Sequence, residues 1–340
     1  MKKKVPALTA LLLAVVVGVS LGAESFSFKE IVNSLWGTQS SDLAGLIVWG
    51  IRLPRVILAG LCGALLAGAG VIFQGFFRNP LADSGIMGIS SGATLGAVTS
   101  ALIPWGMVSA SFVTSNFVSF CAFAMALVTA LVILIIVQFH GGYGGGGFQG
   151  SSVLVLLTGT ALSSFFSSIT SIILLVKYKE LHKMFVWTLG SFSGKNWNDF
   201  YFLLPVTVVS IVLLALCPKY LDILGSGEVT AISLGLDYKK ARILVLCAGS
   251  LAAATAVCMG GTIGFVGLIV PHLVRKFAGP GHGQLLTLSL LWGAVFVILC
   301  DVIARIAFPP SEIPVGVITA LAGAPFFVSL LFAKEGLYGK

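Results

Sequence analysis

Ten apolar stretches, each about as long as a membrane-crossing helix, follow one another along the chain with only short polar segments between them. They fall at 5–22, 54–74, 86–104, 112–138, 153–176, 200–217, 241–259, 263–277, 285–307 and 313–333, the eighth being the shortest. Hydrocarbon offers no water to an unpaired backbone N–H or C=O, so runs of this length are read as helices. The expectation is an all-α polytopic membrane protein with about ten transmembrane helices. Composition agrees: 57% of the 340 residues are hydrophobic and 9% charged, against about 25% charged in soluble domains. Residues 1–340 are expected to form one transmembrane domain, because the length is used up by helices and short loops.

The charge pattern orients this domain. Lys2, Lys3 and Lys4 precede the first run, which resembles a secretory signal with Gly22-Ala23 as a cleavage point, but is also long enough to span. With nine further runs behind it, it is read as a retained first helix whose basic head lies in the cytoplasm. Ten crossings return the C-terminus to the same side. Sorting lysines and arginines by side gives only a modest inner excess, and three arginines at outer helix mouths, Arg52, Arg55 and Arg305, need a reason. Net charge +8 is assigned to the membrane surface, since no basic run with interleaved aromatics suggests nucleic acid. The six cysteines stand singly in apolar runs without metal-ligand spacing, so no metal site is expected in this chain.

Between the first two runs, residues 24–50 are too polar to cross and carry Phe26, Phe28, Ile31, Leu35 and Trp36 at helical spacing; they are expected to lie along the outer interface. The glycine-rich 141–147 segment reads as an inner loop, connector or mobile gate. Small residues crowd the second run (Gly60, Gly63, Ala64, Ala67, Gly68, Gly70) and the seventh, pointing to close helix packing and to an inverted repeat. Gly190 to Gly194 with Lys195 resembles a phosphate loop, but three residues separate the glycines and Asn196 stands where Ser or Thr would hold Mg²⁺. Nucleotide binding is therefore assigned to another chain. Asp301 lies four residues before Arg305, where a structural ion pair is expected in preference to a proton relay. Residues 219–240 lie between the sixth and seventh runs, and within them 225–236 form a short amphipathic helix ending at Gly235, a docking surface for a cytoplasmic partner.

Several ordered motifs carry a resemblance. Arg52-Leu53-Pro54-Arg55 comes first, then Asn79-Pro80-Leu81-Ala82-Asp83, Gly88-Ile89-Ser90-Ser91-Gly92-Ala93 and Trp187-Thr188-Leu189-Gly190-Ser191. Residues 264–275 contain Pro271-His272-Leu273-Val274-Arg275, and residues 313–327 follow with Pro314, Gly316, Gly323 and Pro325. From about Arg52 to Leu331 the chain resembles the FecCD-type permeases of bacterial importers for iron-siderophores, haem and cobalamin. One departure is Ser84, where the family usually has proline.

The resemblance implies the permease fold of type II ABC importers: a homodimer with the pathway at its centre, two cytoplasmic ATPase subunits that carry ATP and Mg²⁺, and an extracytoplasmic substrate-binding protein. The permease itself would be non-catalytic and hold no cofactor. It would sit in the bacterial cytoplasmic (inner) membrane with both termini inside. Arg52, Arg55 and Arg305 match positions that dock acidic residues of the binding protein. Glu228, Ala231, Leu234 and Gly235 fall on the coupling helix, and the fifth and tenth spans would line the pathway, with Ser151, Ser152 and Thr319 as pathway or gate residues. His272 is read as a structural hydrogen-bonding residue. The competing class is an ion-gradient-driven secondary transporter of a small solute.

Overall fold

All ten apolar runs are helices in the computed structural model, which describes residues 3–22, 24–36, 43–85, 87–102, 111–140, 147–176, 181–279, 281–309 and 311–338. In chain order they are α1 (Lys4–Ser20), α4 (Leu53–Phe77), α5 (Ile89–Thr99), α6 (Ser111–His140), α7 (Gly147–Val176), α9 (Trp197–Gly225), α11 (Tyr238–Gly260), α12 (Val266–Ala278), α13 (His282–Ile306) and α14 (Val315–Tyr338). Four short helices join them: α2 (Phe28–Trp36), α3 (Leu43–Ile47), α8 (Leu181–Thr188) and α10 (Glu228–Ser233). Six of the described helical segments are long and apolar enough to cross a membrane by length and composition; α1, α5 with its following turn, and the described part of α14 are shorter apolar helices. Residues 141–146 of the glycine-rich segment lie outside the described residues.

The bundle is built around α4 and α11, which run antiparallel and are buried along most of their length. Their small residues let backbones touch. A methyl group added to Gly63 of α4 would lie 2.8 Å from Val297 Cβ of α13, and one added to Gly70 would lie 2.6 Å from the Gly267 Cα of α12. In lipid, where burial of apolar surface does not drive helices together, such close approach is what holds them. The small-residue texture of the second and seventh runs is thus a packing code.

Two helices cross only part of the bundle. With 13 residues, α12 is about 20 Å long, short of the roughly 30 Å hydrocarbon core; α5 has 11 residues and continues as a 3₁₀ turn, Ser100–Leu102. The start of α5 lies against the middle of α7, where a methyl on Gly88 would be 3.2 Å from Ser163 Oγ. The start of α12 lies inside the bundle against α4, where Gln74 Nε2 donates to the Gly267 carbonyl at 2.8 Å. Each half-helix follows a residue in the left-handed region, Gly88 at φ 76° and Phe265 at φ 67°. Central helix, turn and half-helix therefore recur in opposite directions, as in an inverted repeat. Between them, Asp83 is buried with Ser84 Oγ donating to its Oδ1 at 3.4 Å.

The second membrane helix starts earlier than Pro54. Here α3, a π-helical turn (Val48–Arg52) and α4 form one continuous helix, Leu43–Phe77. Proline lacks the N–H that would continue an α-helical ladder, and the wider i→i+5 turn before it absorbs the break. The outer segment is thus partly helix stem, and α2 is its separate amphipathic piece, opened by a capping box in which Ser27 N donates to Glu30 Oε2 at 2.7 Å.

Candidate functional site

Three regions carry the residues singled out in the sequence: the two ends of the bundle and a cavity along α14. At one end, Arg52 just before α4, Arg55 in the first turn of α4 and Arg305 at the end of α13 meet. They are not free charges: each is 4% exposed. Arg55 forms a fork on Asp301, with Nε and Nη2 at 3.0 and 2.9 Å from Oδ1, and its Nη1 donates to both Glu312 oxygens at 3.0 and 2.9 Å. Arg305 Nε lies 3.1 Å from Asp301 Oδ2, so the fully buried Asp301 is the hub of both pairs. The ion pair expected from the four-residue spacing is present, with a third member brought in from α4.

The remaining donors serve α1. A helix leaves its last four carbonyls without an internal partner, and those of Gly18, Val19, Ser20 and Leu21 are all met by arginine. Arg305 donates to Gly18 at 2.9 Å and to Leu21 at 3.1 Å; Arg52 donates to Val19 at 3.1 Å and to Ser20 at 2.9 Å. Arg52 also donates to the Glu24 carbonyl, and its guanidinium lies 5.0 Å from the Phe26 ring centroid. Two guanidinium groups thus cap the negative end of the α1 dipole. All three guanidinium groups at this end are buried and engaged by partners within the chain. Beside them, the Trp49 and Trp197 rings lie tilted with centroids 5.6 Å apart, and Trp197 Nε1 donates to the Trp49 carbonyl at 2.9 Å.

The opposite end gathers the start of α1, the last turns of α9 and α10. Gly227, at φ 110°, opens α10, and Gly235, at φ 80°, closes it. The Leu236 N–H reaches back to Ala231 O at 3.0 Å and the Gly235 N–H to Ile232 O at 2.9 Å, the paired bonds of a Schellman stop. Ala231 is buried, whereas Val229 is 80% and Leu234 66% exposed, with Ile232 exposed between them. Glu228 begins the helix; its side chain lies outside the described residues. Asp237 caps α11 by accepting from Lys240 N at 3.1 Å, and this backbone hydrogen bond, with that from the Lys240 side chain, holds its carboxyl below the usual range. The end of α9 is tied to the body by Arg78, which donates to the Leu224 carbonyl, and by Asp222, which pairs with His282 at the start of α13.

Along α14 lies a cavity of about 640 Å³ bounded by one helix face from Gly316 through Ala320 to Pro325, by the Thr188-Leu189 turn and by Thr262 to Phe265. Among the described residues, none that lines it is charged. Its rim hydroxyls are occupied internally, Thr188 Oγ1 donating to Phe185 O at 2.7 Å and Thr262 Oγ1 to Thr188 O. The rim is pinned by the Gly316 N–H to Gly190 O at 3.2 Å and the Ser191 N–H to Gly260 O at 2.8 Å. The phosphate-loop look-alike is therefore a packed corner, with Phe192 wholly buried and Lys195 paired to Asp199 at 2.9 Å.

Residues 10–333 match the FecCD transport family. The chain belongs to this family. Among its relatives, it is 39% identical over 294 residues to the cobalamin import system permease protein of Halobacterium salinarum, covering 86% of this chain and 75% of that one. It is 35% identical over 281 residues to the Fe(3+) dicitrate transport system permease protein of Escherichia coli, covering 82% and 83%. A third relative, the hemin transport system permease protein of Yersinia pestis, is 32% identical over 317 residues, covering 93% and 91%. A solved structure described as an inward-facing conformation of a metal-chelate type ABC transporter superposes with a TM-score of 0.81 at 28% identity over 98% of this chain and 99% of that one. This FecCD protein is an all-helical, polytopic integral membrane protein with the fold of an ABC transporter permease.

Of the anticipated pathway residues in this FecCD chain, Thr319 is on α14 but wholly buried, its Oγ1 spent on Gly316 O at 3.0 Å, and it does not border the cavity. Ser151 and Ser152 lie in α7, with side chains outside the described residues. His272 stands edge-on to Phe326 with ring centroids 6.0 Å apart. Glu312, the second partner of Arg55, stands three residues before α14, where no spacing in the sequence ties it to Arg55, and the left-handed Phe265 carried no signal beyond its place in a motif.

Proposed function

We propose that the chain is the membrane permease of an ATP-driven importer, with two copies enclosing a pathway for a metal chelate. The observation that carries this reading is superposition over nearly the full length on the metal-chelate type transporter, supported by relatives named for cobalamin, hemin and ferric dicitrate. The cargo is a pre-chelated metal, with an iron chelate first. A neutral cavity wall suits a ligand that brings its own coordination shell, because an uncharged, internally satisfied surface has little to offer a bare ion.

In this reading, ATP and Mg²⁺ bind to two separate ATPase subunits that press on the exposed Val229, Ile232 and Leu234 of α10, with Glu228, Ala231 and Gly235 shaping that helix. Its orientation then follows: the α10 end, shared by the start of α1 and the end of α14, faces the cytoplasm of a bacterial cell, and the arginine end faces outward. An extracytoplasmic binding protein docks on the outward surface. We assign to Arg52, Arg55 and Arg305 the bracing of that surface, since their guanidinium groups are already engaged. The test is uptake into vesicles holding the chain with or without its co-purified ATPase. ATP-dependent chelate accumulation that needs the ATPase is expected; accumulation by the chain alone under a proton gradient would instead make it a secondary transporter.

A further inference from the structure

The inner end of the cavity along α14 is formed by a junction that coupling and docking do not use. Phe265 lines it with φ 67°, a conformation that a bulky side chain keeps only where its surroundings enforce it. Enforcement comes from both sides. The Phe265 carbonyl accepts from the N–H groups of Leu268 at 3.1 Å and Ile269 at 2.9 Å and so starts α12, while its ring lies on Gly323 of α14. A methyl group at Gly323 would come within 2.7 Å of the ring Cδ1, so only glycine leaves the ring its seat.

Two residues further on, Pro325 borders the same cavity and interrupts α14, because it has no N–H for the Leu321 carbonyl. Helices bend most readily at such positions. The cavity follows α14 from Gly316 to Pro325, about 13 Å of helix rise, and Gly323 stands close to its inner limit. A seated aromatic ring, a left-handed turn and a proline therefore converge at one depth.

We propose that Phe265 is the gate residue of the pathway at this depth, its ring closing the cavity floor on Gly323, and that bending of α14 at Pro325 withdraws the seat so that cargo passes. The assignment rests on reading the cavity as part of the import pathway. It differs from the anticipated gate at Thr319, which is wholly buried and does not border the cavity, and it gives the ring direct contact with cargo.

Leakage without ATP tests it. The complete importer, purified through this chain with its ATPase, is sealed into vesicles with trapped cyanocobalamin, and efflux is followed by absorbance. Wild type and Phe265→Leu are expected to hold the probe, whereas Phe265→Ala and Phe265→Gly release it at least about tenfold faster, as removal of an apolar constriction should. Gly323→Ala, which keeps the ring but denies its seat, leaks as well. Phe192→Ala is the control, since Phe192 is wholly buried against Gly260 and does not border the cavity. Tight vesicles from both Phe265 variants would overturn the gate; so would an equal leak from Phe192→Ala, which would trace the leak to loosened packing, and a tight Gly323→Ala would overturn the seat. ATP is absent throughout, so the comparison decides the gate whether or not wild type accumulates chelate once ATP is added, which is the separate test of import.

Discussion

Asp301 and the three arginines are held together by mutual need. Asp301 is wholly buried, and removing one partner of a buried ion pair leaves the other charge uncompensated, at a cost of about 3–5 kcal/mol. Asp301→Asn, which takes the carboxylate from Arg305 and leaves Arg55 with Glu312 alone, is therefore expected to lower unfolding free energy in detergent by about that amount, read from denaturant midpoints. Arg305→Lys keeps the charge, but a single ammonium cannot span Asp301 and the Gly18 and Leu21 carbonyls together. It should cost about 1–3 kcal/mol for the carbonyl left unmet, with hydrogen exchange accelerated at the end of α1 and unchanged in α11. Asp301 and Arg305 were readable as a pair because four residues fit one helix face. Arg55 and Glu312 were not, since contact between residues so far apart in sequence is made by tertiary packing, which local periodicity does not encode. The same limit hides the capping of α1, because Arg52 and Arg305 reach its last carbonyls only across helix contacts.

At the scale of elements, apolar length located every long helix, but it did not reveal where α5 and α12 begin within the bundle. The run at 263–277 looked like a short full span because hydropathy records only composition, and residues 262–265 are as apolar as the helix they precede without being helical. What sets the start of α12 is contact: Gly70 and Gln74 of α4 receive Gly267. Glycine-to-alanine changes at such crossings should act as overpacking. Gly63→Ala, whose methyl would press on the Gly293 backbone and Val297, is expected to cost about 1–3 kcal/mol, whereas Gly50→Ala, with open space around it, should leave the unfolding midpoint unchanged. The start of α11 adds a pH dependence. Because Asp237 titrates below its unfolded value, its cap contributes above the unfolded carboxylate range and is lost as pH falls through the lower, folded value. Amide exchange at Lys240 and Ala241, compared with intrinsic rates, should therefore lose protection on acidification, and Asp237→Asn, which caps without titrating, should abolish that change.

The whole molecule separates its tasks by depth: a charge-locked end, an uncharged cavity, and an end with apolar side chains on a short helix in front of the body. Val229 and Ile232 on α10 and Leu234 just after it are exposed while Ala231 is buried and positive-φ glycines stand at both ends; exposed apolar side chains grouped in this way suit an interaction site. Such a knob transmits force only if it is rigid where it joins the body and deformable nowhere between. The Schellman stop, the Asp237 cap and the ties of α9 through Arg78 and Asp222 meet that requirement. Leu234→Glu changes the contact surface without touching these ties. If α10 receives the ATPase, this variant should reduce co-purification of the ATPase at least about tenfold, corresponding to about 1.4 kcal/mol, while its unfolding midpoint stays at the wild-type value. Val208→Glu, on the exposed face of α9 away from both ends, should be inserted poorly and yet bind ATPase normally in the fraction that folds. Equal co-purification for wild type and Leu234→Glu would move the coupling surface away from α10 and leave its exposed apolar face without that role.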